Sequence, residues 1–127
     1  MKIISIKQPW ASLIVEGYKR YEFRTWKTKY RGKILIHASK GFVKSDINEF
    51  KHLNLSFPTG VIIGEVELID CIEVNEILSK KIFEEDNIVY RNVLGFQGYA
   101  WKIDKIKKYD EHIQINGKLG LWEYEKE

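Results

Sequence analysis

The stretch Val61–Ile72, VIIGEVELIDCI, alternates apolar and polar residues over too long a run for anything but a β-strand. Tyr99–Tyr109 reads as a second long strand, and such strands need partners. Shorter β-rich runs at Lys2–Ile6, Tyr21–Trp26 and Lys33–Ala38 can supply them, with a closing hairpin over Ile113–Trp122 turning at Asn116-Gly117. Between these runs lie three short helical segments. Trp10, Leu13 and Ile14 repeat at helical spacing, with Pro9 at the first helical position and Gly17 as the stop. Ser45–Leu53 carries Ile47, Phe50 and Leu53 on one face behind a capping Ser45. Asn75 caps a third helix holding Ile77, Leu78 and Ile82. Helices and strands do not alternate regularly, which argues against a doubly wound parallel sheet. The pattern predicts an α+β, mainly β fold: a small barrel of five or six strands with about three short helices, as one domain over residues 1–127. Gly60, Gly64 and Gly98 fall where barrel strands bend.

Charge is distributed unevenly. Residues 1–44 hold 11 Lys/Arg against Glu16 and Glu22, a formal +9, while residues 45–127 hold 10 Lys/Arg against 16 Asp/Glu, a formal −6; together they give the net +3. A strongly basic third points to an anionic partner rather than to a fold. The lone Cys71 excludes an intrachain disulfide and fits a reducing compartment. MKIISIKQPW is too short and polar for a signal peptide, and no apolar run approaches the roughly 20 residues needed to span a bilayer. The expectation is a cytoplasmic protein without membrane attachment.

The residues able to carry chemistry cluster early. Gly17 turns the chain sharply, so Lys19 sits at the mouth of the next strand, where Glu22 and Arg24 share one face with Trp26. An amine, a carboxylate and a guanidinium fork can bind phosphate, orient a base edge or transfer protons. The same three groups also make an ordinary ion pair on a strand edge. Tyr18, Trp26 and Tyr30 interleave with Lys27, Lys29, Arg31 and Lys33, a pattern that suits stacking of bases and tracking of phosphates. Trp10, by its helical spacing, is the poorer stacking candidate and Trp26 the better. His37 and Ser39 end the KILIHAS strand and can face the same cleft, with Gln8 as another wall. Glu65 and Glu67 share a strand face that looks to water or reaches Lys19. The histidines and Cys71 lack metal-ligand spacing, so no metal and no cofactor are expected.

SIKQPWASLIVEGYKRYEFRTW resembles the opening signature of the ASCH domain, a member of the PUA-like superfamily, with Ser5, Gln8, Pro9, Trp10, Ala11, Gly17, Lys19, Glu22, Arg24 and Trp26 in register. YRGKILIHASK, FPTGVIIGEVELIDC and IQINGKLGLWEY are similar to later family segments; about Glu73 to Gly95 has no clear counterpart. The resemblance implies a PUA-like β-barrel with a cleft between the first helix and the barrel, and a nucleic-acid partner, most of all RNA. Gln8, Lys19, Glu22, Arg24, Trp26, Lys27, Lys29, Arg31, His37 and Ser39 are then the ligand-binding candidates. One bacterial branch of the family hydrolyses N(4)-acylated cytidines through a motif resembling G-x-K-T-x-T-x-R, and some members are reported to cleave RNA. Lys19 and Arg24 keep their places in that motif while Glu22 stands at the threonine position. The resemblance therefore implies binding first, with amidohydrolase or ribonuclease activity through Lys19 and Glu22 on a modified nucleoside or RNA as the alternative.

Overall fold

The computed structural model describes residues 1–118 and 120–123. The chain runs β1 (Lys2–Gln8), α1 (Trp10–Val15), β2 (Tyr21–Arg24), β3 (Gly32–Phe42), α2 (Lys44–Asn48), a 3₁₀ turn (Lys51–Leu53), β4 (Val61–Glu73), α3 (Glu76–Glu85), β5 (Tyr99–Gln114) and β6 (Leu121–Glu123). The strands form one sheet in the order β2-β5-β4-β3-β1-β6. β1 and β3 are parallel and the other neighbours antiparallel. This is the mainly β architecture with three short helices that the sequence predicts.

The sheet curls until its ends meet. Arg24, on the β2 edge, donates from Nη2 to the Ser5 carbonyl of β1 at 2.9 Å, although three strands, β5, β4 and β3, separate the two in the sheet order. Bulges produce the bend: Glu65 pairs with Lys107 but Glu67 with Asp104, so β5 carries an extra residue there, next to Lys105 at φ 46°. Gly64 is required at this corner, because a Cβ would stand 2.7 Å from the Lys107 carbonyl and 2.8 Å from Val15 of α1. Inside the curl, Ile4, Ile6, Ile14, Ile34, Ile36, Val66, Leu68, Trp101 and Ile103 make the barrel core. A second cluster under the helices gathers Leu13, Phe50, Ile82, Val89, Tyr90, Val93 and Ala100. No helix among the described residues is long and apolar enough to cross a membrane.

Several predicted boundaries move. β1 and β3 run further than Lys2–Ile6 and Lys33–Ala38 because their pairing continues to Gln8↔Phe42. β2 ends at Arg24, which leaves Thr25 and Trp26 outside it. Pro9 is the N-cap of α1 rather than its first helical residue. The predicted helix Ser45–Leu53 is interrupted at Phe50 (φ −112°, ψ 15°), whose ring turns in to meet Trp10 edge-on at 5.8 Å. Val43, not Ser45, is the N-cap of α2, and it makes no side-chain cap bond. Asn75 caps α3 as predicted, accepting from the Leu78 N–H at 2.8 Å, but Ile77 is 81% exposed and only Ile82 and Ser79 are buried. β5 does not stop at Tyr109 and does not form the predicted hairpin with the last strand. It continues to Gln114, and β6 crosses to pair with β1 through Ile3↔Trp122.

Candidate functional site

Gly17, at φ 87°, ends α1 and lets the backbone N–H groups of Tyr18 and Lys19 both return to the Leu13 carbonyl. That turn drives the Lys19 side chain inward, where it is 5% exposed. Its ammonium donates to the Tyr21 carbonyl and to Glu22 Oε1, the latter at 2.9 Å. Glu22, 13% exposed, takes a bidentate contact on its other oxygen from Arg24 Nε at 3.2 Å and Nη2 at 2.9 Å. One carboxylate is thus held between two cations. Burial pushes the Glu22 carboxyl up, but Lys19 and Arg24 outweigh it and hold the group below its ordinary value. Burial lowers the Lys19 ammonium, and the opposing pull of Glu22 does not restore it.

This charged floor opens into a cavity of about 380 Å³ in the gap between β1 and β2. Ile6 and Lys7 line one side and Phe23 the other; Trp10 of α1 and the segment 89–96 close over it. Tyr90 meets Phe23 edge-on at 6.0 Å and Phe96 meets it at 5.7 Å. The Tyr90 hydroxyl accepts from the Arg20 backbone N–H at 2.7 Å, which pins this roof to the start of β2, and burial pushes its pKa to about 12. An apolar, aromatic cavity with a few convergent polar groups at its base is the usual form of a small-ligand site.

A second cleft of about 610 Å³ adjoins the first and shares Lys7 and Arg24 with it. Ser5, His37, Ser39 and the loop Ile115–Lys118 line it. His37 contacts the Ile115 carbonyl through Nε2 at 2.8 Å and Ser5 Oγ through Nδ1 at 2.9 Å. A carbonyl only accepts, so Nε2 carries the proton, and in the neutral ring Nδ1 accepts from the serine hydroxyl. Gly117 packs directly on this pair: a Cβ there would lie 2.7 Å from the imidazole and 2.8 Å from Ser5 Oγ. Gly117→Ala is expected to lift the loop off His37 and to cost about 1–3 kcal/mol, read as a fall in Tm together with a moved His37 ring signal in NMR spectra.

The predicted residues therefore separate. Lys19, Glu22 and Arg24 converge. His37 and Ser39 line the second cleft and meet this cluster only through Arg24. Gln8 is buried and spent inside the fold, bonding Ser12 and the Pro58 carbonyl. Trp26 lies outside the first cavity, 37% exposed and edge-on to Trp101 at 4.7 Å, whereas Trp10 lines that cavity. Lys27 and Lys29 are exposed, while Arg31 is tied to the Thr28 and Tyr30 carbonyls and faces Asp70 at 3.7 Å. Glu65 pairs with Lys33 and Glu67 with Lys105, so neither reaches Lys19. The roof residues Val89, Tyr90, Val93 and Phe96 escaped the sequence reading, since IVYRNVLGF has neither helical nor strand periodicity; its density of apolar residues was the one available signal.

Comparison with known proteins adds an independent line. The chain is 36% identical over 94 residues to activating signal cointegrator 1 of Homo sapiens, and equally to that of Mus musculus, covering 65% of this chain. It spans about 15% of the length of those relatives. The crystal structure of ASCH from Zymomonas mobilis superposes with a TM-score of 0.58 at 17% identity, covering 89% of this chain and 72% of that one, a likeness of fold. Its S128A mutant superposes with the same TM-score over 90% of this chain and 73% of that one. The family model of the ASCH domain matches residues 4–125, nearly the whole of the sequence, and the chain belongs to the ASCH domain family.

Proposed function

We propose that this domain binds RNA by taking one unstacked base into the cavity above Lys19, Glu22 and Arg24. The observation that carries the reading is the pairing of an aromatic roof with a buried polar floor that still has donors to give. Arg24 spends Nε and Nη2 on Glu22 and Ser5, while Nη1 takes no partner among the described residues. Lys19 likewise spends two of its three N–H groups. These remaining donors suit the carbonyl oxygens and ring nitrogens of a base edge, and the roof suits its face. ASCH domains are associated with RNA binding, the basic N-terminal third gives the electrostatic footprint, and exposed Trp26, Lys27 and Lys29 follow Arg24 closely in the chain.

Titration of short single-stranded RNAs, followed by calorimetry over a range of salt, tests this. Affinity should fall linearly on a log–log salt plot. Trp10→Leu keeps apolar packing but removes the stacking face, and should weaken binding by about 1–3 kcal/mol, roughly 5- to 150-fold. Absence of binding, or an affinity indifferent to Trp10 and to salt, defeats the proposal.

One observation favours a second reading, hydrolysis of an acyl group from a cytidine amine in the same cavity. Lys19 is a buried amine held below its ordinary pKa inside a cavity, the condition for a general base. It would take a proton from water as the water oxygen bonds to the acyl carbon; the C–N bond then breaks and the leaving amine takes the proton. Glu22, with both oxygens occupied by cations and its pKa lowered, is the weaker base. Incubation with N(4)-acetylcytidine should release cytidine in a Lys19-dependent manner; no product, or product undiminished by Lys19→Met, removes this reading.

A further inference from the structure

We propose that the second cleft is a phosphate site, so that the unit recognised is a phosphorylated nucleotide with its ring in the first cavity and its phosphate in the second. This rests on the reading of the first cavity as a base receptor.

The lining of the second cleft includes Lys7, Arg24, Lys40 and Lys118 and no carboxylate. Elsewhere on the basic third, Lys2 faces Glu123, Arg20 Asp104, Arg31 Asp70 and Lys33 Glu65, while Lys27, Lys29 and Lys44 stand singly along the chain rather than round a concave surface. Lys7, Lys40 and Lys118 have no acidic partner among the described residues, and Arg24 shares its single carboxylate with Lys19. Like charges gathered round a concave surface focus a positive potential into it and attract an anion. The cleft is also shaped for these side chains. Gly60, at φ 73°, leaves room for Lys40, whose Cε would stand 3.2 Å from a Cβ at that position. The Lys118 ammonium lies 5.5 Å from the Trp122 ring centroid, a cation–π contact that fixes its direction. Ser39 and Asn116 add neutral hydrogen-bonding groups.

Arg24 and Lys7 belong to both cavities, so the spacing between a ring and a phosphate is bridged by two side chains rather than by bulk solvent. A guanidinium with one edge committed to Glu22 and Ser5 can still offer Nη1 to a phosphate oxygen, and charge-assisted bonds of this kind are the strong ones. Inorganic phosphate, a nucleotide and an RNA phosphodiester share this chemistry, and the experiment separates them.

NMR titrations at fixed ionic strength should use the four ribonucleosides, their 5′- and 3′-monophosphates, inorganic phosphate and a short RNA. The favoured monophosphate should bind about tenfold or more tightly than its nucleoside. Combined Lys40→Ala and Lys118→Ala substitution should abolish that advantage while leaving nucleoside affinity unchanged. The salt slope for RNA should fall by about 0.7 for each lost contact, and Lys→Arg at both positions should retain the advantage. Equal affinity for nucleoside and monophosphate, or an advantage that survives the double substitution, overturns the phosphate site and leaves the base receptor standing. Phosphate-induced shifts at Lys40 and Lys118 with no nucleoside-induced shifts around Trp10 and Tyr90 do the reverse. Saturation of the cleft by inorganic phosphate as tightly as by any nucleotide or RNA overturns the coupling of the two cavities.

Discussion

Glu22→Gln should lower the unfolding free energy by about 3–5 kcal/mol, because it removes the one negative charge between buried Lys19 and half-buried Arg24. The substitution keeps the shape of the side chain, so packing is not the cause. The amide of the variant offers one neutral acceptor oxygen and turns a donor NH2 toward the other cation, so either Lys19 is left with the Tyr21 carbonyl alone or Arg24 with that of Ser5. On a domain of this size the loss corresponds to a fall in Tm on the order of 10–20 °C. The pH dependence identifies the cause. The folded carboxyl lies below its ordinary value of 4.5, so its contribution is complete above that pH and is lost as pH falls through the folded value. The wild type should therefore lose stability on acidification below about pH 4.5 more steeply than the variant. At the alkaline end the order reverses. With Glu22 gone, burial and Arg24 lower Lys19 without opposition. The unfolded chain then binds the extra proton up to the ordinary value of 10.5, and the stability of the variant rises with pH across that window. Chemical denaturation at acidic, neutral and alkaline pH checks all three points; equal slopes for the two proteins would show that the charge triad is not what Glu22 supports.

Trp101→Ala is the other large effect, about 3–5 kcal/mol. Trp101 is 1% exposed and sits in β5 between Glu22 of β2 and Cys71 of β4, so it fills the barrel where the charged floor meets the core. Its loss leaves a hole bounded by Ile4, Ile36, Val66 and Ile103 beside the Glu22 carboxylate. Water admitted there would weaken the ion pairs that now work at low dielectric. Trp26 also loses the ring on which it stands edge-on. Urea melts should show the lost midpoint, and the Trp26 emission should shift red as its ring gains water. Lys102→Ala, at the exposed neighbouring position, is the control and should stay within about 0.5 kcal/mol of the wild type.

The sequence carried some of this site and concealed the rest, and the division follows the range of the interactions. Lys19, Glu22 and Arg24 are close in the chain; a glycine stop and a two-residue period place them on one side, so they were legible. The edge-on contacts among Phe23, Tyr90 and Phe96 join distant segments, and nothing local marks them. That Trp10 lines the first cavity and Trp26 does not was hidden for the same reason. Helical spacing assigned Trp10 to the core, yet a two-turn helix laid across a barrel seam shows one ring to both core and cavity. β2 stops two residues before Trp26. The Asn116-Gly117 turn signal was real as chain punctuation, but the partner of the following strand was set by β1, whose free edge lies beside it. The interruption at Phe50 is a tertiary decision too: one buried ring outweighs the continuation of a short helix.

Ile6 on the wall of the first cavity belongs to the barrel cluster and Val89, Tyr90 and Val93 of its roof to the helix cluster, so the cavity lies where the two clusters adjoin. Cooperative opening tends to follow such boundaries. Opening there is expected to release the segment 89–96 from Phe23 and from the Arg20 N–H while the rungs of the β-ladder stay in place. Slow amide exchange in β3 and β4 alongside faster exchange over 89–96 would be the signature of a domain that opens at its roof and not at its frame.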